Sequence, residues 1–174
     1  MKKYAGRYAK LKAMDTMNFW ITGKPDALRE VMKRVDVVFI NDAELRQLTG
    51  TVNLARASRE VHELGPKYVI VKKGEHGAVM YCDGDICFSA ASYPLEEVAD
   101  PTGAGDSFAG GFMGYVASTG HLSHDSLRKA VVYGSTMASY NVQDFSLNRF
   151  KRLTKAEITQ RYEEFKRIVF FEPI

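Results

Sequence analysis

Val35-Asp36-Val37-Val38-Phe39-Ile40 is apolar and β-branched almost throughout, and a run of that kind has to be buried on both faces. Tyr68-Val69-Ile70-Val71 is a second such run. Helical patterns fill the interval: one through Leu45 and Leu48 that stops at Gly50, and one over residues 53–64 with Leu54, Val61 and Leu64 aligned and Gly65-Pro66 closing it. Buried strands separated by helices predict an α/β fold, a mostly parallel sheet covered by helices on both faces in three layers, α/β/α. Upstream, residues 10–14 read as a short strand ending at Asp15, and Pro25-Asp26 opens a helix running to about Arg34. Downstream, residues 78–82 and 86–90 read as a hairpin around Asp83-Gly84-Asp85. A helix over 124–140 buries Leu127, Val131, Gly134 and Ala138, and Thr154 with Glu157 forms the capping box of a last helix. No internal repeat or low-complexity linker interrupts the 174 residues, which are read as a single domain, 1–174.

Composition excludes several classes. The chain is 45% hydrophobic and 26% charged, enough for a core, and no stretch approaches the apolar length of a membrane span. The start is basic but lacks the apolar block of a signal peptide, so a cytoplasmic location and no membrane partner are expected. Cys82 and Cys87 flank the hairpin turn; a suitable register brings them close, but two reduced thiols are expected. His121 and His124 sit three apart in a polar loop and read as solvated side chains. The net charge of +3 is mild. Basic clusters at Lys2, Lys3, Arg7, Lys10 and Lys12 and at Lys151, Arg152 and Lys155 come with no nucleic-acid motif, so no nucleic-acid partner is expected.

Chemistry concentrates in Asp100-Pro101-Thr102-Gly103-Ala104-Gly105-Asp106-Ser107-Phe108. Its small residues permit a sharp turn with uncovered N–H groups, and a helix is expected from about Asp106. A helix N-terminus has unpaired N–H groups and a partial positive charge, a seat for an anion. Asp106 sets a carboxylate beside that seat, which costs repulsion unless it takes a proton from a hydroxyl attacking a phosphate. The plainer reading is a strand-to-helix turn capped by Asp106. Neither the dinucleotide fingerprint nor the Gly-Lys-Ser/Thr phosphate loop occurs in the chain.

Residues 100–111, D-P-T-G-A-G-D-S-F-A-G-G, resemble the C-terminal signature of the ribokinase/PfkB carbohydrate kinase family. The resemblance implies a ribokinase-like fold and ATP-dependent phosphorylation of a sugar or nucleoside hydroxyl. It makes Asp106 the catalytic base, with the amides of Gly103, Ala104 and Gly105 as the anion hole. Asn41-Asp42-Ala43-Glu44, after the first buried run, is a capping pattern taken alone. It also resembles the family's second motif, which implies phosphate and Mg²⁺ binding, with Glu44 acting on the metal. Val71-Lys72-Lys73-Gly74-Glu75-His76-Gly77-Ala78 is similar to the segment that lines the nucleotide phosphates, which assigns Lys72, Gly74 and Gly77 to the cofactor. Many members have a small hydroxyl residue near Lys72. Asp100 and Thr102 match positions that help bind a monovalent cation in many members and equally suit an ordinary turn. Residues 134–140 fall where family helices wall the adenine pocket, and also suit plain packing.

The resemblance covers nearly all of this chain but only the C-terminal part of a family member. The fold is therefore expected to be truncated on its N-terminal side, without most of the acceptor site. The alternatives are a nucleotide-binding module or pseudo-kinase without turnover, or one half of a split kinase. Self-association or a partner chain is expected to cover the edge near residues 10–14.

Overall fold

The structure is a computed structural model that describes residues 9–170; Lys2, Lys3 and Arg7 lie outside the described residues. Five strands hydrogen-bond in sequence order into one sheet, β1 (Ala13–Asp15), β2 (Val37–Asn41), β3 (Tyr68–Lys72), β4 (Ala78–Cys82) and β5 (Asp85–Ala90). Among the described residues seven α-helices accompany them: α1 (Asn18–Gly23), α2 (Pro25–Met32), α3 (Asp42–Thr49), α4 (Leu54–His62), α5 (Ala104–Thr119), α6 (His124–Asn141) and α7 (Lys155–Val169). β1 and β2 are parallel, with Ala13 opposite Val37 and Asp15 opposite Phe39. Toward its other end the sheet changes sense. Five residues join β3 to β4 and two join β4 to β5, too few for a crossover, so those pairs are antiparallel. Asp83 and Gly84 both have positive φ, 51° and 88°, the type I′ geometry that fits the twist of a hairpin.

The chain divides into two compact units, one of Met1–Val71 with Tyr81–Ile86 and the other of Lys72–Met80 with Cys87–Ile174. The first has a core of Val37, Val38, Phe39 and Ile40, all essentially inaccessible, with Val69, Ile70, Val71, Met32, Leu45 and Val61. Each such side chain contributes roughly 1.5–3 kcal/mol by leaving water. One element has no forerunner in the sequence reading. α1 has six residues, several of them aromatic or β-branched, and its N-cap Met17 offers no side-chain oxygen.

In the second unit α5 and α6 pack closely because glycines leave room. A Cβ on Gly111 would stand 2.8 Å from Met137 Cγ, and one on Gly134 would stand 2.8 Å from the Phe108 carbonyl oxygen. Small residues around Gly134 thus serve helix packing. α7 opens on the expected capping box of Thr154 and Glu157. It is fastened to α6 by the Tyr140 hydroxyl, which donates to the Glu157 carbonyl at 2.7 Å. Arg161 stacks over the rings of Tyr140 and Tyr93, 3.6 and 4.3 Å from their centroids. Hydrogen bonds from the Thr154 and Arg149 side chains hold the Glu157 carboxyl down to about 2, whereas burial beside Tyr115 and Tyr133 pushes Tyr162 up to about 12.

Two expectations are corrected. Cys82 and Cys87 are both disulfide-bonded rather than reduced thiols. The glycine loop does not directly follow a strand: residues 91–103 intervene without regular structure. Pro94 and Pro101 lack the N–H groups that would continue a ladder there. Among the described residues, no helix is long and apolar enough to cross a membrane.

Candidate functional site

Asn41 ends β2 and caps α3. Its Oδ1 accepts from the Glu44 N–H at 2.7 Å, and its own N–H donates to Glu44 Oε2 at 3.1 Å. Both arms of the capping box are therefore formed, which satisfies two orphan donors and fixes the Glu44 rotamer. Glu44 is nevertheless only 6% exposed, an unusual place for a helix-start carboxylate. Beside it in sequence, Asp42 pairs with Arg46 at 2.5 Å, and that hydrogen bond holds the Asp42 carboxyl below its ordinary range.

A residue overlooked in the sequence reading lies at the end of the neighbouring strand. Thr16, directly after β1, is 8% exposed, and its Oγ1 is buried without a hydrogen-bond partner among the described residues. Magnesium takes one or two protein carboxylates and keeps several waters. A buried carboxylate and an unspent hydroxyl at adjacent strand ends fit that requirement. No group of three or more His, Cys, Asp or Glu able to hold a metal gathers among the described residues.

The second unit begins with Lys72, the half-buried last residue of β3. The loop after it closes on itself: the Lys73 N–H donates to the Gly77 carbonyl at 2.8 Å, and the Gly77 N–H to the Gly74 carbonyl at 3.1 Å. The two glycines differ in what they do. Gly74 has φ +56° and open space where a side chain would be, so the backbone there is approachable from outside. Gly77 is buried at φ 84°, ψ −146°, and a Cβ there would stand 2.0 Å from the Ala90 carbonyl oxygen. Its lack of a side chain is a requirement of packing.

Asp100 prepares the glycine turn. Its carboxylate accepts from the Thr102 N–H at 2.9 Å and the Ser146 N–H at 3.3 Å. Those bonds, Thr102 first, lower its pKa. Gly103 is the N-cap of α5 in the left-handed region, φ 80°, and no side chain caps the helix. The helix therefore starts at Ala104, two residues before the expected point, and Asp106 is the third helical residue, not the cap. The Ala104 N–H turns back to the Pro101 carbonyl at 3.2 Å and so takes part in the turn. Gly103, Gly105 and Asp106 have N–H groups with no hydrogen bond among the described residues. The Asp106 carboxylate is exposed and makes no hydrogen bond or ion pair there. Asn141, also missed by sequence reasoning, donates through Nδ2 to the Ser146 carbonyl at 3.1 Å. That bond fixes the amide so that Oδ1 lies 3.5 Å from where a Gly103 Cβ would be.

The first unit thus carries Asn41 and Glu44; the second carries Lys72, Gly74, Gly77, Thr102 and the turn from Gly103 to Asp106. The model of the pfkB family carbohydrate kinases matches residues 8–151, and the chain belongs to that family. It is 43% identical over 88 residues to a cytidine kinase of Thermococcus kodakarensis, a match that covers 51% of this chain and 32% of the relative. The nucleoside kinase of Methanocaldococcus jannaschii superposes with a TM-score of 0.72 at 24% identity, over 94% of this chain and 50% of that one. Arabidopsis thaliana ribokinase, solved with ribose and ATP, superposes with a TM-score of 0.68 at 25% identity, over 87% of this chain and 47% of its own. The fold is therefore ribokinase-like, and the chain spans about half the length of these solved relatives.

Proposed function

We propose that residues 1–174 act as one domain, the nucleotide-binding and catalytic part of a kinase that moves the γ-phosphoryl group of ATP to a hydroxyl of a sugar or nucleoside. The observation that carries this reading is Asp106, an exposed carboxylate without a partner among the described residues, beside the unfilled amides that open α5. A carboxylate so placed repels a bound anion and is useful there as a base. Asp106 takes the proton of the acceptor hydroxyl, the new O–P bond forms, and the bond to the ADP oxygen breaks. The amides of Gly103, Gly105 and Asp106 stabilise the charge spread over the equatorial oxygens. Glu44, oriented by Asn41, would hold Mg²⁺ through water, and the bound ion would supply positive charge to the phosphates. Lys72 adds positive charge, and the open backbone at Gly74 admits the nucleotide phosphates. Asp100 and Thr102 are the residues a monovalent cation would use. Calorimetric titration of the folded chain with ATP and Mg²⁺ tests the reading: saturable binding that needs the metal supports it, and its absence removes it.

One surface favours a second condition, that turnover needs another polypeptide surface. Met17, Phe19 and Trp20 are 52, 59 and 43% exposed, and they follow β1, the end strand of the sheet. An edge strand beside apolar side chains pairs readily with another chain. The expected result is association that grows with concentration in light scattering. A monomer at high concentration would remove the association.

A further inference from the structure

We infer that Thr16 is a positioning residue of the metal site, its Oγ1 hydrogen-bonding the water shell of an Mg²⁺ ion held by Glu44; this rests on the kinase reading above. A buried hydroxyl without a partner is destabilising, so a native chain retains one where another species completes it. Thr16 is over nine-tenths buried, and its Oγ1 has no partner among the described residues. Its own N–H is occupied by Asp15 Oδ1 at 2.9 Å, which fixes the backbone at the strand end and leaves the hydroxyl as the unspent group.

Register brings Thr16 to the strand end next to the Asn41 motif. Asp15 stands opposite Phe39 in a parallel pair, so one step further along Thr16 comes level with Ile40, and the next residue of β2 is Asn41. Neighbouring strands lie about 4.8 Å apart. α1, which begins two residues after Thr16, packs on α3, the helix that carries Glu44. Both features thus lie at the carboxyl ends of adjacent parallel strands, where open α/β sheets bind their ligands. The chemistry is suited to a hydrated ion. Glu44 already accepts from Asn41 through Oε2, and Mg²⁺ gives up its waters reluctantly, so a hydroxyl is better used to orient a water than to replace one.

The test is the thermal midpoint of the chain at fixed ATP across an Mg²⁺ series, for the parent, Thr16→Val and Thr16→Ser. Valine keeps the shape and deletes the oxygen; serine keeps the oxygen. Loss of a group that orients a metal's outer shell weakens metal binding about 10- to 100-fold, so Thr16→Val should need at least about tenfold more Mg²⁺ for the same shift. Thr16→Ser should stay close to the parent. Without ligands, Thr16→Val should be as stable as the parent or more so, because an unpaired hydroxyl has gone. An Mg²⁺ response in Thr16→Val equal to the parent's overturns the inference and leaves the kinase reading intact. A parent with no Mg²⁺ response at saturating ATP overturns the kinase reading and the inference with it. If valine prevents folding, Thr16→Ala replaces it under the same criteria.

Discussion

Asp106→Asn is expected to lower phosphoryl transfer by about 10²–10⁴-fold while leaving ATP affinity at or slightly above the parent's. Asparagine keeps the size and polarity of the side chain at the third position of α5 but cannot accept the acceptor's proton. Nucleotide binding in the ground state does not use that proton acceptor, and removing a negative charge beside the triphosphate relieves repulsion. Loss of the favourable interaction with the helix N-terminus costs only about 0.3–1 kcal/mol, too little to unfold the chain. The measurement pairs turnover, in whichever assembly is active, with direct nucleotide titration of the same samples. Turnover near the parent's would show that Asp106 merely answers the helix dipole. A parallel fall in affinity would place its role in binding instead of proton transfer.

Gly77→Ala should be the most destabilising single substitution in the loop between β3 and β4, at about 4 kcal/mol or more. Its φ and ψ of 84° and −146° lie in a region almost closed to residues with a Cβ. The added carbon would also fall 2.0 Å from the Ala90 carbonyl oxygen and 2.7 Å from the Ala91 carbonyl carbon. Those are backbone atoms, so no rotamer change relieves the clash; the segment has to move. Gly74→Ala is the internal control. Its φ of +56° is strained for alanine, but nothing lies within 4 Å of the new carbon, so a cost of about 1 kcal/mol is expected. Chemical denaturation of both variants decides the matter. Equal, small losses would mean that the Gly77 segment relaxes freely.

That contrast also indicates what a sequence can reveal. The capping box at Thr154 and the capping pattern at residues 41–44 were legible because each is closed within four residues, though the sequence left open whether Asn41 or Asp42 is the cap. The Asp83-Gly84 turn was legible because two positive φ angles demand those residue types. The packing demand on Gly77 was not legible because the chain that excludes its side chain, Ala90 to Ser92, is remote in sequence. The start of α5 was placed two residues late because its N-cap is a left-handed glycine without a capping oxygen. α1 escaped because aromatic and β-branched residues hide a short helix that tertiary packing sustains. Thr16 and Asn141 gave no sign, since burial and an unspent oxygen exist only once distant segments meet. The redox state of Cys82 and Cys87 likewise is not written in their spacing.

A chain that carries the kinase site proposed above must bind ATP together with Mg²⁺. Titration of ATP into the folded chain by calorimetry, with and without Mg²⁺, measures that binding without requiring an acceptor or a second polypeptide. The predicted result is saturable binding at about one nucleotide per chain, in the range of about 1 μM to 1 mM usual for enzyme substrates and strongly weakened when the metal is withheld. Absence of binding at millimolar ATP and Mg²⁺, by a sample shown to be folded, would contradict it.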